Sequence, residues 1–518
     1  MAKAKTKKET EQELNLDQIL FKCRDHLRAA RNSGSFFEKR DMMLTLVFLR
    51  FLGEKYEDGL ESLKTKLISE GLDPEDENIR AAFFEDATFT GGSYNLPVEA
   101  RWSTIINTPA TGLNVALDTA LVRIEDEIPE LKGCFVKSTF TTRNLAPNDI
   151  KKVVDEVDKI SHKKFGEEKD LIGHVYEYFL KEFAVNATKE EGEFYTPHDV
   201  VQLIATMIEP YDGTLFDPAC GSGGMFVQSM KFVEEHQGNI YNIGIYGQEK
   251  NPTTWRLAKM NLAIRSMYGD LGKYAADTFT EDLHKDLKAD FILANPPFNL
   301  EWDRDKVEND PRWRYGLAPK NNANYAWLQH MISKLSQNGK MACILANGSL
   351  SAGYEEGKIR QNLIENDLVD CIIAMPTNLF YTVTVPCSIW IISRNKKQKG
   401  KTLFINANNL GSMVTRRLRE LSVDDVKEIA DTYHDYQNGE NYEDIKGFCY
   451  SATTDEIKNN DYVLTPGRYV GVEDNNEDSI PFEEKMKYIT SELSTQFEDS
   501  HRLEEEIKKN LKAIGYDI

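Results

Sequence analysis

The stretch TLFDPACGSGGM, residues 214 to 225, decides how this chain is read. Three strand-forming residues lead into Asp217, and Gly221, Gly223 and Gly224 follow around Ser222. The pattern predicts a buried strand that ends in a carboxylate and turns tightly into a helix. Glycine there lets the backbone approach a ligand closely, with the helix N-terminus just beyond. A triphosphate cradle would close on Lys followed by Ser or Thr. Met225 and Phe226 follow instead, which disfavours a nucleoside triphosphate. A carboxylate at the strand end suits a ligand carrying a cationic amino group.

Outward from this turn, short apolar runs alternate with amphipathic stretches: IGIYGQE, DFILAN, MACILAN, DCIIAM, SIWIIS and TLFIN. That alternation predicts a doubly wound α/β domain with a mostly parallel sheet and crossover helices. The second strand closes at Glu249, placed to accept hydrogen bonds from two ribose hydroxyls. It lies 32 residues beyond Asp217, against the ~20 of a dinucleotide fingerprint, which lowers the case for a nicotinamide enzyme. Asp277, in KYAADTF, stands where the third strand is expected to end and is placed to read an adenine amino group. Alone, Glu249 or Asp277 reads as a solvated loop acid, and only the ordered series gives them weight.

The most specific signal is Asn295-Pro296-Pro297-Phe298, at the end of the run DFILA. Two prolines cannot sit inside a paired strand, so the strand must end here in a sharp turn. The turn presents the Asn295 amide and the Pro296 carbonyl to the cleft. An exocyclic base amine is a poor nucleophile because its lone pair is conjugated with the ring. Two acceptors holding its hydrogens draw that lone pair out of conjugation, towards a sulfonium methyl, without a strong base. Phe298 offers a face on which a flipped-out base can stack. Upstream, Glu193-Phe194-Tyr195-Thr196-Pro197-His198 opens a helical run, with Thr196 expected as N-cap and Pro197 as first helical residue. His198 has no Cys or Ser partner spacing and reads as a ligand-lining or capping residue.

The flanks differ in texture. Residues 1–12 are a lysine-rich leader expected to be disordered. Residues 13–150 read as an all-helical domain, with stops expected at Gly53, at the SEGLDPED turn and at the TGGS turn. A charged, helix-forming connector over 151–170 opens the catalytic domain, 151–440. The C-terminal segment, 441–518, ends in a stripe of Phe482, Met486, Ile489, Leu493, Phe497, Leu503, Ile507, Leu511 and Ile514 at mostly three- or four-residue steps. It predicts an amphipathic helix, packed on this chain's own core or docked on a partner subunit. Seven scattered cysteines without a C-x-x-C pair indicate neither a metal site nor a disulfide framework, and a reducing cytoplasm fits. No apolar run suits a signal peptide or a membrane span.

The series GEFYTPHDVV, DPACGSGGM, YGQE, AADTF and NPPF, in that order, resembles the γ-type amino-methyltransferases that methylate adenine N6 in DNA. It looks most like the modification (M) subunit of type I restriction-modification systems. FKCRDHLRAARNSGSFFEKRDMMLTLVFLRFLGEKYED, DLIGHVYEYFLKEFA, MACILANGSL, EGKIRQNLIEND and LTPGRYVG carry the likeness over almost the whole chain. The resemblance implies a class I methyltransferase fold with a seven-stranded sheet and S-adenosylmethionine as donor. It implies two M subunits with one specificity (S) subunit that reads double-stranded DNA, and a motor-nuclease (R) subunit in the restriction complex. Cofactor contacts then fall on Glu193 to His198, on Gly221 to Gly224 and on Glu249, with Asp217 facing the methionine amino group and Asp277 the adenine. The catalytic loop is Asn295 to Phe298. Relatives often carry Arg where His198 stands, so a carboxylate contact there would be weaker and pH-dependent. The following loop, with Arg312, Trp313, Arg314, Tyr315 and Lys320, suits either a clamp on a flipped nucleotide or a lid packed on the domain.

Two rival readings stay open at this point. A similar Asn-Pro-Pro turn would serve a protein glutamine methyltransferase, and a silent cofactor-binding scaffold would also hold partner subunits. Charge supplies a separate constraint. Sixty-three basic against 84 acidic residues leave a net charge of −21, a poor balance for gripping polyphosphate over a whole surface. The isolated chain is therefore expected to bind duplex DNA weakly at physiological salt and to gain affinity with its specificity partner. Tight, sequence-specific binding by the chain alone in a gel-shift titration would contradict this.

Overall fold

Apolar residues three and four apart build the N-terminal region as α1 (Leu16–Ala29), α2 (Phe36–Ser69), α3 (Glu77–Phe83), α4 (Trp102–Ile106), α5 (Leu113–Glu127), α6 (Thr139–Arg143) and α7 (Pro147–Asp158). The computed structural model describes residues 15–30, 34–83, 94–165, 196–380, 386–415, 418–472 and 482–513, with Leu171, Val175, Tyr178 and Phe179. The leader, the TGGS turn and Glu193, Phe194 and Tyr195 lie outside the described residues.

Helix α2 starts on a capping box between Ser35 and Glu38 and runs for 34 residues, on through Gly53 where a stop was expected. Gly53 serves packing instead: a Cβ there would lie 2.5 Å from the Trp102 Cβ, so its absence admits α4. The boundary expected at 150 falls inside α7. Its Ile150, Val153, Val154 and Val157 are buried in the helical core, with Leu171, Val175 and Phe179. The first eight residues of what reads as a charged connector thus belong to a core helix with its charges turned outward.

The remainder is a sheet with helices on both faces. Its strands are β1 (Gly213–Asp217), β2 (Ile243–Gly247), β3 (Gly269–Asp270), β4 (Ala289–Ala294), β5 (Leu335–Ala346), β6 (Val369–Ala374), β7 (Cys387–Ser393), β8 (Lys401–Asn406) and β9 (Cys449–Thr453). The spatial order is β9-β8-β6-β7-β5-β4-β1-β2-β3. Among these, β7 and β9 run antiparallel to their neighbours. The resemblance implied seven strands, whereas this sheet has nine among the described residues: the apolar runs fall on β1, β2 and β4 to β8, and β8 and β9 extend the edge beyond β6. Successive residues go to opposite faces, Leu215 to one core and Phe216 to the other.

The helices of this part are α8 (His198–Ile208), α9 (Gly224–Glu235), α10 (Pro252–Ala263), α11 (Asn324–Lys334), α12 (Tyr354–Glu365), α13 (Val423–Asn438), α14 (Thr454–Asn459) and α15 (Phe482–Ala513). Helix α10 is a shared wall: Leu257, Met260 and Ala263 join the helical core, while Trp255, Ala258 and Leu262 join the sheet core.

The boundary expected at 440 also shifts, because the chain beyond it completes the sheet domain. Strand β9 pairs with β8, and Ile457, Leu464 and Val470 are buried. Tyr469 stacks flat on Phe404 at 3.9 Å, and the buried Arg360 donates to the Tyr462 carbonyl at 2.6 Å. Helix α15 differs among the described residues, with Met486, Leu493, Phe497, Leu503 and Ile507 exposed. Ending the chain at 472 is therefore expected to shift the thermal midpoint by about 2 °C at most, whereas ending it at 440 lowers it by roughly 10 °C. Equal midpoints in a calorimetric comparison would contradict the packing described.

Candidate active site

Strands β1, β2 and β4 run parallel, so Asp217 at the end of β1, Glu249 just past β2 and Asn295 just past β4 come to one edge of the sheet. The direction of strand addition reverses between β1 and β4, which opens the crevice where doubly wound sheets bind ligands.

The glycine turn forms the floor. Gly221 and Gly223 take φ of 55° and 81°, left-handed values that favour glycine. A Cβ added to Gly221 or Gly224 would meet nothing within 4 Å, so the turn leaves open space above it. Glu249 spans the turn and the start of α10, accepting from the Gly221 N–H at 3.0 Å and the Asn251 N–H at 2.8 Å. The Ser222 carbonyl accepts from Asn261 Nδ2 at 2.8 Å. Asp217 is 2% exposed and accepts from the Ala219 N–H at 3.0 Å. Burial, reinforced by the Glu249 charge, pushes its carboxyl up to about 8. A cationic amino group placed beside it would restore the carboxylate.

Asp277 lies in the loop beyond β3, which ends at Asp270, rather than at the strand end expected for it. It caps the Phe279 and Thr280 N–H groups at 3.0 and 3.1 Å and pairs with Lys250 at 2.8 Å. Burial opposes its ionisation, but the Lys250 contact and the backbone N–H groups outweigh it and hold the carboxyl below its ordinary range. This loop is fastened by the fully buried Gln248. Its Nε2 donates to the carbonyls of Ala276 (3.2 Å) and Glu281 (2.7 Å), and its Oε1 accepts from the Leu283 N–H (3.1 Å). Thr278 Oγ1 donates to the Pro218 carbonyl at 2.6 Å.

At the end of β4, Asn295 Nδ2 donates to Thr196 Oγ1 at 2.8 Å. Its Oδ1 is buried and has no hydrogen-bond partner among the described residues. Pro296 is buried, Pro297 and Phe298 are half-buried, and Phe298 meets Phe380 edge-on at 6.3 Å. The chain turns at Asn299 (φ 53°), locked by the buried Asn324, which accepts from the Asn299 N–H at 3.0 Å and donates to its Oδ1 at 2.9 Å. Helix α8 begins at His198 with Pro197 as N-cap. Thr196 is therefore not the cap expected of it, because its hydroxyl is engaged by Asn295. His198 is exposed in the first turn.

The loop after the tetrapeptide packs on the domain. Trp302 and Trp313 are buried around Phe279 with Trp327. Arg312 donates to the carbonyls of Thr278 (3.0 Å) and Phe279 (2.5 Å), pairs with Asp310 and contacts His330 Nδ1 at 2.9 Å. Lys320 pairs with Asp305, and Arg314 remains exposed.

Comparison with known proteins shows the family. A family model described as N-6 DNA Methylase matches residues 167–478, and one described as HsdM N-terminal domain matches residues 16–157. The methylase subunit of the type I restriction enzyme HindI from Haemophilus influenzae is 48% identical over 443 residues, 82% of this chain and 100% of that protein. The MjaIX methylase subunit from Methanocaldococcus jannaschii is 38% identical over 513 residues, 96% of this chain and 91% of its own. The chain belongs to the methylase subunits of type I restriction-modification systems. A solved relative, the type I restriction-modification methyltransferase subunit from Streptococcus thermophilus, superposes with a TM-score of 0.72 at 26% identity, covering 88% of this chain and 98% of its own. Within this methylase subunit, sequence reading missed Gln248, Asn261, Asn324 and the structural use of Arg312. Each is a polar residue whose partner lies far along the chain. The signals available were a Gln directly before the acidic strand end and an arginine between Trp and Pro.

The protonated Asp217 has a consequence for stability. Folding holds a proton on it up to about pH 8, while the unfolded chain releases it near pH ~4. The native state therefore binds more protons across this window, and unfolding free energy falls as pH rises through it, then levels off. Asp217→Asn is expected to flatten that decline in denaturant titrations at about pH 5, 6.5 and 8. An unchanged pH profile in the variant would contradict the assignment.

Proposed function

We propose that this modification subunit transfers a methyl group to N6 of adenine in DNA, as a site-specific adenine methyltransferase. The observation that carries the reading is the buried, unpartnered Oδ1 of Asn295 at the end of β4. Buried acceptors are nearly always satisfied, so one left open at a crevice marks the place of a donor. S-adenosylmethionine is the donor cofactor and supplies, when bound, an electrophilic methyl on a sulfonium sulfur.

The residues present fit that group. Open space above Gly221 and Gly224 leaves room for a ligand backbone against the turn, with Ser222 and Gly223 between them. Asp217 would neutralise the methionine amino group, Glu249 would receive the ribose hydroxyls, and the Asp277 loop would border the adenine. Thr196, Pro197 and His198 would line its entrance, and Glu193, Phe194 and Tyr195 complete that stretch in sequence.

Asn295 Oδ1 and the Pro296 carbonyl would each take one hydrogen of the target amine. So held, the amine lone pair would be turned out of conjugation towards the place of the bound methyl donor. The N6 proton lost on transfer would pass to solvent, so no strong base among these residues would be required. Pro297 stiffens the turn, and Phe298 offers its ring to the flipped base.

Target recognition would come from a separate specificity subunit, two copies of this chain serving one, with a motor-nuclease subunit added for restriction. The acidic chain would then reach double-stranded DNA through that partner, in the cytoplasm. The helical region, the sheet domain through residue 472 and the exposed stripe of α15 would serve subunit packing, catalysis and subunit contact respectively. Family membership does not favour protein glutamine methylation or a silent scaffold. Asn295→Ala, reconstituted with the specificity subunit, is expected to lower the methylation rate by roughly 10²–10³-fold. Equal rates for the variant and the parent would sink the catalytic assignment.

A further inference from the structure

An asparagine amide is useful as an acceptor only if its oxygen faces the donor. Turned by 180°, Asn295 would present its NH₂ to the target amine, and two donors would oppose each other. Thr196 occupies the other side of that amide, its Oγ1 accepting from Nδ2 at 2.8 Å. A hydroxyl can accept or donate, so the amide orientation depends on where the hydroxyl proton goes. Among the described residues the Thr196 proton has no acceptor, while its lone pair already receives the amide N–H.

We infer that Thr196 is a positioning residue for Asn295: its hydroxyl takes the amide N–H and so holds the amide oxygen towards the cleft as the acceptor for the target amine. An anionic ligand group that accepts the Thr196 proton leaves only lone pairs facing Asn295, which removes the partner of the reversed orientation. The carboxylate of the methyl donor is a group of that chemistry, and Thr196 stands just before the N-terminus of helix α8, the positive end of its dipole, where Asp199 already takes the Val200 N–H at 2.9 Å. Cofactor binding would thereby set the amide before the base arrives. The inference rests on the reading of Asn295 given above.

The test compares Thr196→Val, Thr196→Ala and Thr196→Ser in the complex with its specificity subunit. Three quantities are measured: affinity for S-adenosylhomocysteine, methylation kcat and KM, and the binding preference for a duplex with adenine at the target position over one with purine, which lacks the 6-amino group. Val and Ala are expected to lose about tenfold in kcat and most of the adenine-over-purine preference, a readout that loss of a cofactor contact alone does not move. Ser is expected to restore both. Retained preference in Val and Ala, or its loss in Ser, overturns the role of the hydroxyl. A preference that survives Asn295→Ala overturns the reading of Asn295 itself, so the two failures are distinguishable.

Discussion

The site depends on one amide that must be bonded on one side and open on the other. Asn295 meets this requirement because β4 ends at Ala294 and the two prolines prevent the strand from continuing. The side chain is left at the crevice, with Nδ2 satisfied by Thr196 and Oδ1 open. An unsatisfied buried acceptor costs about 1–3 kcal/mol. The fold tolerates that cost at the position where a ligand donor would repay it.

The rest of the edge is built to keep this geometry fixed. Gln248 and Thr278 tie the 276–283 loop to the ends of β1 and β2. Arg312 ties the loop after the tetrapeptide to that same 276–283 loop. Residues that would border the cofactor and residues that follow the catalytic turn are therefore one packed body. Its core is Phe279 among Trp302, Trp313 and Trp327. Movement of one loop is felt by the other, which suits a site where two ligands must meet within bonding distance.

Much of this was legible in the chain. The alternation of apolar runs and the glycine turn located Asp217 and Glu249 at strand ends, because strand termini and left-handed turns leave local marks. Two prolines in a row announced the end of β4. Contacts between distant residues left no such mark. Thr196 read as a cap because Pro197 follows it, yet its hydroxyl is directed to a residue 99 positions away. Gly53 read as a stop because glycine weakens helices, yet α2 needs it to admit Trp102. The boundary at 440 was drawn on texture, yet β9 beyond it joins the sheet, an edge strand of five residues being too short to announce itself. Arg312 and Trp313 read equally well as clamp or lid, and only their carbonyl and ring partners decide for the lid.

The net charge of −21 and the open amide belong to one account. On the proposed function, an acidic chain with little grip on DNA of its own would carry a site for an exocyclic amine delivered to it, and this would restrain methylation away from the proper target. The most direct test is the identity of the product. Duplex DNA incubated with the reconstituted complex and isotopically labelled S-adenosylmethionine is digested to nucleosides and resolved by mass spectrometry. The account predicts label in N6-methyladenine and in no other nucleoside. Label in a cytosine derivative, or in protein glutamine with none in DNA, would contradict it.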